Sequence, residues 1–154
     1  MFNNIYHSKP ISDYAFLVTG GAGFIGSNIV DYIMMHNPKL LRVIDNLSTG
    51  SIDNIKEHVG KQNFQFLKED ICDYHSCLKA TENIDFVIHQ AALGSVPRSI
   101  KNPLDTNNTN ITGFINIAYA SKENNVKRIV YASSSSVYGD DTTLPKKEQY
   151  IGKP

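Results

Sequence analysis

The sequence predicts an α/β fold built on a doubly wound, parallel β-sheet, and three observations lead to this prediction. Short apolar runs typical of strands alternate along the 154 residues with segments of helical periodicity. A glycine-rich stretch, Gly20–Gly26, joins the first strand pattern to the first helical pattern. An acidic residue, Asp45, ends the second strand pattern about 20 residues later, as in nucleotide-binding sheets of this kind.

The first two elements are predicted at residues 15–19 (strand) and 24–36 (helix). The pair Asn37-Pro38 is expected to end the helix, because proline cannot continue it. Helical spacing assigns its apolar face to Ile25, Ile29, Ile33 and Met34.

Four more strands and three more helices follow in alternation. The strands are predicted at 41–45, 64–67, 85–89 and 128–132, and the helices at 51–58, 74–81 and 104–124. The long last helix carries one apolar stripe, made of Ile111, Phe114, Ile115 and Ala118. We expect Phe16–Val18 to be central in the sheet and Ile129–Ala132 to lie toward one edge.

The glycine-rich stretch has the G-x-x-G-x-x-G spacing of a dinucleotide-binding turn, typical of a Rossmann-like sheet. Gly20 permits the tight turn, Gly23 lets a pyrophosphate approach the backbone, and Gly26 allows close packing of the helix. The free N–H groups at the start of that helix favour phosphate. Asp45 accepts hydrogen bonds from a ribose and repels a 2′-phosphate, so NAD is predicted rather than NADP.

Polar and small residues follow the other strands as well, and parallel strands bring such loops to one crevice. Asp70, beside Ile71, is expected either to accept from an adenine amino group or to cap a helix, and both alternatives stay open. Ala91 and Ala92 leave room for a cofactor against the backbone. His89 is interpreted as a hydrogen-bonded structural histidine. A serine in the run at 133–136 would position a reacting hydroxyl group.

Composition excludes several other classes of function. Lys+Arg and Asp+Glu both number 15, so the chain has no basic excess for nucleic acid. No apolar run or leader suggests a membrane span or secretion, and we expect a cytoplasmic protein. Cys72 and Cys77 are predicted to be free, buried or half-buried thiols, and no His/Cys spacing predicts a metal site.

Taken together, the motifs resemble the extended short-chain dehydrogenase/reductase family, and within it the nucleotide-sugar 4-epimerases. The motifs are Thr19–Gly26, Asp45-Asn46, His89–Ala92 and Ser133–Gly139. The resemblance implies oxidation of a sugar at C4 by NAD, rotation of the keto-sugar and re-reduction on the other face. It implies a catalytic serine, here Ser134, acting with a Tyr-x-x-x-Lys pair.

The motifs and the resemblance together predict the residues that bind cofactor and substrate. The cofactor residues are Gly20, Gly23, Phe24, Ile25, Gly26, Asp45, Asn46, Ser48, Gly50, Asp70, Ile71, Gln90, Ala91, Ala92 and Asn110. The substrate residues are Gly94, Ser95, Ser134, Ser135 and Ser136.

The substrate class follows from departures within the family. The related 4,6-dehydratases have Thr-Asp-Glu where this chain has Ser134–Ser136, and the related decarboxylases have a glutamate where Ser136 stands. The stretches 94–100 and 151–154 resemble epimerases of UDP-N-acetylglucosamine that serve bacterial surface polysaccharides, with Gly94 and Ser95 facing the N-acetyl group. The serine run also resembles UDP-glucuronate 4-epimerases, and this alternative stays open.

The chain lacks a Tyr-x-x-x-Lys sequence, because no tyrosine is followed by lysine four residues later. We therefore expect an N-terminal extension (1–12) and an incomplete Rossmann-like NAD-binding domain (13–154), truncated before the substrate domain and inactive alone. The parent enzyme is expected to be a homodimer that binds a UDP-sugar. A non-catalytic nucleotide-binding module and a remnant with no stable function are the other two hypotheses.

Overall fold

The computed structural model describes residues 5–152, which form one parallel sheet of five strands. The strands are β1 (Ala15–Thr19), β2 (Leu40–Ile44), β3 (Phe64–Leu67), β4 (Phe86–His89) and β5 (Arg128–Tyr131). They lie in the order β3-β2-β1-β4-β5, with every neighbouring pair parallel. The order confirms that Phe16–Val18 is central and that the segment at 129–132 lies at an edge.

Helices connect the strands, as the alternating pattern predicts. They are α1 (Phe24–Met35), α2 (Tyr74–Thr81), α3 (Val96–Lys101), α4 (Pro103–Asn107) and α5 (Phe114–Glu123), with a π-helical turn (Asn108–Gly113) between the last two. Three short 3-10 turns lie at Ile11–Asp13, Ile52–Asn54 and Ser135–Tyr138. Within residues 5–152, none of these helices has the length and apolar character needed to cross a membrane.

The helices pack on both faces of the sheet, which confirms a doubly wound, Rossmann-like α/β architecture. Successive side chains of β1 point to opposite faces. Leu17 packs in a cluster with Ile117 of α5, whereas Val18 packs in a second cluster with Val30 of α1. Because all five strands are parallel, their carboxyl ends lie along one edge of the sheet, where the ligands of such sheets bind.

The apolar face predicted for α1 is partly wrong. Ile33 is buried, and Ile29 and Met34 pack against the core, but Ile25 is 62% exposed. The helix turns Gly26 and Val30 toward the sheet instead. Because Gly26 has no side chain, this face approaches the glycine-rich stretch closely, and Ile25 is left on the side of the carboxyl-end crevice.

The long helix predicted at 104–124 is interrupted, and its stripe does not form the core contact. Ile117 and Ala120, beyond the π-helical turn, are buried against α2, whereas Ile111 of the turn and Ile115 are exposed. A π-helical turn shifts the phase of the residues that follow it, so a single 3.6-residue period misplaces the buried face. The predicted helix at 51–58 is a 3-10 turn over Ile52–Asn54, and α3 is not predicted at all.

Some predicted features lie outside the described residues. These are positions 1–4 of the expected extension, and Lys153 and Pro154 of the family stretch. Ile11, in the 3-10 turn before β1, packs in the core on the α1 side. The domain boundaries remain a prediction.

Candidate functional site

A cleft of about 320 Å³ opens at the carboxyl ends of β1, β2, β3 and β4. Thirteen of the fifteen predicted cofactor residues line it, and the other two, Gly50 and Asn110, do not. The lining residues come from the glycine-rich turn (Gly20–Gly26), the loop after β2, the loop after β3 and the loop after β4. Four of the five loops predicted to meet at one crevice thus line it, whereas the serine loop after β5 does not.

Two glycines make the floor of the cleft possible. Gly20 has φ +65°, and a Cβ there would lie 2.7 Å from the Ala91 nitrogen. A Cβ at Gly26 would overlap the Gly20 carbonyl oxygen and lie 2.8 Å from the Gly21 Cα. Both contacts are with backbone, which cannot yield, so the turn, the loop after β4 and the start of α1 pack together only without side chains.

The start of α1 faces the cleft through its first residues. Gly23 precedes the helix and caps it without any side-chain hydrogen bond. The Gly23 N–H donates to the Gly20 carbonyl (3.1 Å), and the Ser27 N–H donates to the Gly23 carbonyl (2.9 Å). Phe24, Ile25 and Gly26 line the cleft, so the first turn of the helix presents its backbone N–H groups there. Such a helix start attracts an anion.

Asp45 follows β2 and is buried in the wall of the cleft. Its Oδ2 accepts from the Ala22 N–H (2.9 Å), and its Oδ1 accepts from the Leu47 N–H (2.8 Å). Each carboxylate oxygen accepts more than one hydrogen bond, so two backbone amides leave capacity for a diol. Asp45 therefore ties the glycine-rich turn to the loop after β2 in addition to its predicted ribose contact.

Asp70 lines the cleft opposite Asn46. The Asn46 side-chain amide donates to Asp70 Oδ2 (2.8 Å), and the Cys72 N–H donates to Asp70 Oδ1 (2.8 Å). Burial raises the pKa of Asp70, but these hydrogen bonds together outweigh it and leave the pKa below its usual value. The helix-capping alternative is wrong, because Asp73 caps α2 by accepting from the Ser76 N–H.

Thr19 and His89 hold the loop after β4. Thr19 Oγ1 accepts from the N–H groups of Gln90 (3.2 Å) and Ala91 (3.1 Å). Its own proton is then donated to His89 Nδ1, 2.9 Å away. The His89 ring is buried, which lowers its pKa to about 4. This confirms the interpretation of His89 as a hydrogen-bonded structural histidine.

Asn110 supports the cleft from behind. Its Oδ1 accepts from the Leu93 N–H (2.7 Å), and its Nδ2 donates to the Leu93 carbonyl (3.0 Å). The neighbouring Thr109 lines the cleft, so the π-helical turn contributes to the wall directly. Gly50 is likewise a packing position here, since a Cβ would lie 2.8 Å from the Ala22 carbonyl.

The predicted catalytic and substrate residues lie outside this cleft. Ser134 follows β5 and is exposed. Its hydroxyl group donates to Ser136 Oγ (3.0 Å) and accepts from the Ser136 N–H (3.1 Å). Ser135 begins the 3-10 turn at Ser135–Tyr138. Gly94 and Ser95 follow Leu93 of the cleft wall, and Ser95 caps α3 with φ 110°.

Sequence reasoning missed six residues that build the cleft or hold its loops. Most of them are direct neighbours of predicted positions, at the ends of strands. Extending each predicted loop by one residue would have included them. They are Thr19, Ile44, Thr49, Glu69, Leu93 and Thr109. The two thiols behave as predicted, with Cys72 half-buried and Cys77 buried, both free.

Comparison with known proteins gives a consistent result. The family model described as "NAD dependent epimerase/dehydratase family" matches residues 16–154. The bifunctional protein GAL10 of Candida maltosa is 43% identical over 137 residues, which are 86% of this chain and 89% of that sequence.

Two solved structures share the fold. A UDP-N-acetylglucosamine 4-epimerase from Methanobrevibacter ruminantium, in complex with UDP-N-acetylmuramic acid, is 40% identical with a TM-score of 0.80 over 92% of this chain. A Thermus thermophilus UDP-glucose 4-epimerase, in complex with NAD, is 31% identical with a TM-score of 0.77 over 91% of this chain. The chain spans 44% of the length of each solved chain.

Proposed function

The chain belongs to the NAD dependent epimerase/dehydratase family, whose cofactor is NAD, and we propose that it is the NAD-binding part of a UDP-sugar 4-epimerase. The observation that carries the proposal is the single cleft at the carboxyl ends of the strands. There the glycine-rich turn, Asp45 and the small residues Ala91 and Ala92 meet.

The residues of the cleft fit a dinucleotide. Gly23, where a Cβ would have only the Gly20 carbonyl oxygen nearby (3.3 Å), leaves the start of α1 open to the pyrophosphate. Asp45 accepts from the adenosine ribose hydroxyl groups, and a 2′-phosphate beside this carboxylate is repelled. Asp70 and Ile71 line the same cleft, and we assign them to the adenine.

When bound, NAD supplies hydride acceptance and return at C4 of the sugar. The chain's part is to hold the reacting hydroxyl group, and we assign this to Ser134. Its side chain now caps a turn through Ser136, so it must exchange that partner to bind the C4 oxygen. Ser135 and Ser136, with Gly94 and Ser95, are proposed to contact the sugar.

We propose UDP-N-acetylglucosamine or UDP-glucose as the substrate class, and a homodimer as the whole enzyme. Solved relatives that act on these sugars match most of this chain, which supports the proposal. Epimerisation is favoured over dehydration because Ser134–Ser136 provide no carboxylate as an extra acid or base. The same serine run favours UDP-glucuronate as the alternative substrate.

The first test uses the 154-residue chain. We expect it to bind NAD and not to interconvert UDP-sugars at a detectable rate. Its sequence contains no Tyr-x-x-x-Lys, and each general acid–base group contributes about 10²–10⁴-fold. NAD titration by calorimetry and a coupled assay with UDP-N-acetylglucosamine measure both. Turnover by the purified chain would contradict the proposed role of the missing pair.

The second test places residues 5–152 in a chimera, in exchange for the matching part of the Methanobrevibacter enzyme. Ser134→Ala in the chimera should lower kcat by about 10²-fold or more while NAD stays bound. Ser12→Ala is the matched control, because Ser12 precedes β1 at the opposite edge of the sheet. Turnover of UDP-glucuronate alone would select the alternative substrate.

A further inference from the structure

The connection between β2 and β3 (residues 45–63) packs against the glycine-rich turn and hydrogen-bonds to both the N–H and the carbonyl of Ala22. The Ala22 carbonyl accepts from the Ser51 N–H (3.0 Å) and from the Asn54 side-chain amide (2.7 Å). Asn54 itself does not line the cleft. Neither Asn54 nor Ser51 is predicted from the sequence to take part in cofactor binding.

The two peptide groups around Ala22 are thereby fixed. The Ala22 N–H donates to Asp45, and the N–H of the next peptide, on Gly23, donates to the Gly20 carbonyl. The carbonyl of that same peptide is the one that Ser51 and Asn54 hold. Of its hydrogen bonds, only the one from Asn54 comes from a side chain, so only this one changes with a substitution.

The connection that carries Asn54 is itself anchored. Ile55, the next residue, is 1% exposed in the core on the α1 side. His58 is buried, with Nδ1 3.0 Å from the Lys61 ammonium and Nε2 2.7 Å from Asp31 Oδ1 of α1. Because an ammonium group only donates, Nδ1 accepts and the Nε2 proton is donated to Asp31. Asn54 thus projects from a segment bonded to the same helix whose start faces the cleft.

We propose that Asn54 is a positioning residue for the NAD site: its amide holds the Ala22 carbonyl away from the cleft. A peptide free to rotate would aim that carbonyl dipole at the pyrophosphate and repel it. With the carbonyl held, only N–H groups face the phosphates. The inference rests on NAD as the cofactor of this cleft.

The test compares NAD affinity in three variants. Asn54→Ala removes the donor and should raise the Kd for NAD about 3- to 10-fold, the value of one intramolecular hydrogen bond. Asn54→Asp keeps the size of the side chain but places a carboxylate oxygen, an acceptor, next to the Ala22 carbonyl. It should weaken NAD binding at least as much as Asn54→Ala. Asn54→Gln keeps an amide donor at an exposed position and should retain affinity within about twofold.

Asn63→Ala is the matched control. The Asn63 amide also donates from this connection to a backbone carbonyl, that of Pro38 (3.0 Å), and Asn63 does not line the cleft. Its loss should leave the Kd for NAD unchanged. Adenosine, which has no phosphate, serves as a second probe and should bind all variants equally.

Hydrogen exchange without cofactor gives an independent readout. Asn54→Ala should speed exchange of the Gly23 amide, and Asn63→Ala should not. An unchanged Kd in Asn54→Ala, or equal losses for NAD and adenosine, would overturn the proposal. If Asn54→Ala does not fold, Asn54→Asp against Asn54→Gln decides in the same way. Failure of the unmodified chain to bind NAD would overturn the cofactor site itself, and the positioning role with it.

Discussion

At the scale of single residues, Asp45 combines two tasks in one carboxylate. It accepts from the Ala22 and Leu47 amides, and we expect it to accept from the ribose as well. Asp45→Ala should therefore lower the affinity for NAD about tenfold or more, since hydrogen bonds to charged groups are stronger than those between neutral groups. It should weaken NADP less, because repulsion of the 2′-phosphate is lost together with the carboxylate. Calorimetry with both cofactors measures the two changes.

Asp53→Ala is the control for Asp45→Ala. Asp53 lies in the same connection, but its carboxylate is exposed and pairs with exposed Lys56, so neither affinity should change. Equal affinity of the unmodified chain for NAD and NADP would contradict the role of Asp45 in selecting the cofactor.

His89 makes the free energy of unfolding depend on pH. Its pKa falls from 6.5 to about 4 because the ring is buried. Between these values the unfolded chain binds a proton that the folded chain does not, so the free energy of unfolding falls as pH falls. Over the whole window the loss is about 3 kcal/mol, at 1.36 kcal/mol per pH unit. Above pH 6.5 this contribution is complete.

A urea titration at pH 7 and pH 4.5 measures the effect. His89→Asn should remove most of the pH dependence in this window, whereas His75→Asn, at an exposed position of α2, should keep it. The pKa values of Asp70 and Asp85 are also lowered, but the stability that this contributes is present above the ordinary carboxyl pKa of 3.8 and is lost as pH falls below it. Equal pH dependence in His89→Asn and the unmodified chain would contradict the assignment.

At the scale of elements, the glycine-rich turn and the start of α1 form one unit. In Gly26→Ala the new Cβ overlaps the Gly20 carbonyl, so the turn and the helix must separate. We expect a loss of about 1–3 kcal/mol in the free energy of unfolding, typical of overpacking, together with weaker NAD binding. Thermal unfolding and NAD titration measure these changes.

Gly94→Ala provides the comparison for Gly26→Ala. Nothing lies within 4 Å of a Cβ at Gly94, so neither stability nor NAD affinity should fall. An unchanged NAD affinity in Gly26→Ala would show that the turn can open without cost.

The sequence predicts those elements whose signals are local. All five strands lie within one residue of their predicted bounds, because apolar runs bounded by turns define them. The glycine spacing and Asp45 are also local signals, and they predict where the cleft lies. The 3-10 turn at Ile52–Asn54 and the π-helical turn are not predicted, since their hydrogen bonds deviate from the periods that pattern reasoning assumes. The contact of Asn54 with Ala22 joins residues 32 positions apart, and no local pattern encodes it.

At the scale of the whole molecule, apolar surfaces lie uncovered within residues 5–152, and two of them are on the last helical segment and on β5. On the helical side Ile111, Ile115 and Tyr119 follow one another at four-residue spacing and are all more than half exposed. At the sheet edge, Val130 and Tyr131 of β5 are also more than half exposed. The first surface includes two residues of the stripe that the sequence predicts, while Phe114 of that stripe packs between His89 and Tyr131.

These surfaces predict that the chain self-associates and is only marginally stable. Each fully buried large apolar side chain contributes roughly 1.5–3 kcal/mol, and several here contribute little. An uncovered strand edge also pairs with other chains. NAD at about 100 times its Kd should add about 2.7 kcal/mol, which raises the melting temperature by about 5–10 °C in a chain of this size. Light scattering and thermal unfolding with and without NAD measure both effects.

A charged side chain on β5 tests whether the chain associates through this strand edge or because it is generally unstable. Val130→Lys should reduce association, because lysine on an edge strand opposes pairing. Val59→Lys, at a position that is 53% exposed against 56% for Val130, lies in the β2–β3 connection and should leave association unchanged. If the unmodified chain is a monodisperse monomer that melts cooperatively above about 60 °C without NAD, the exposed surfaces do not drive association. In that case the five-stranded sheet is stable with β5 as a free edge.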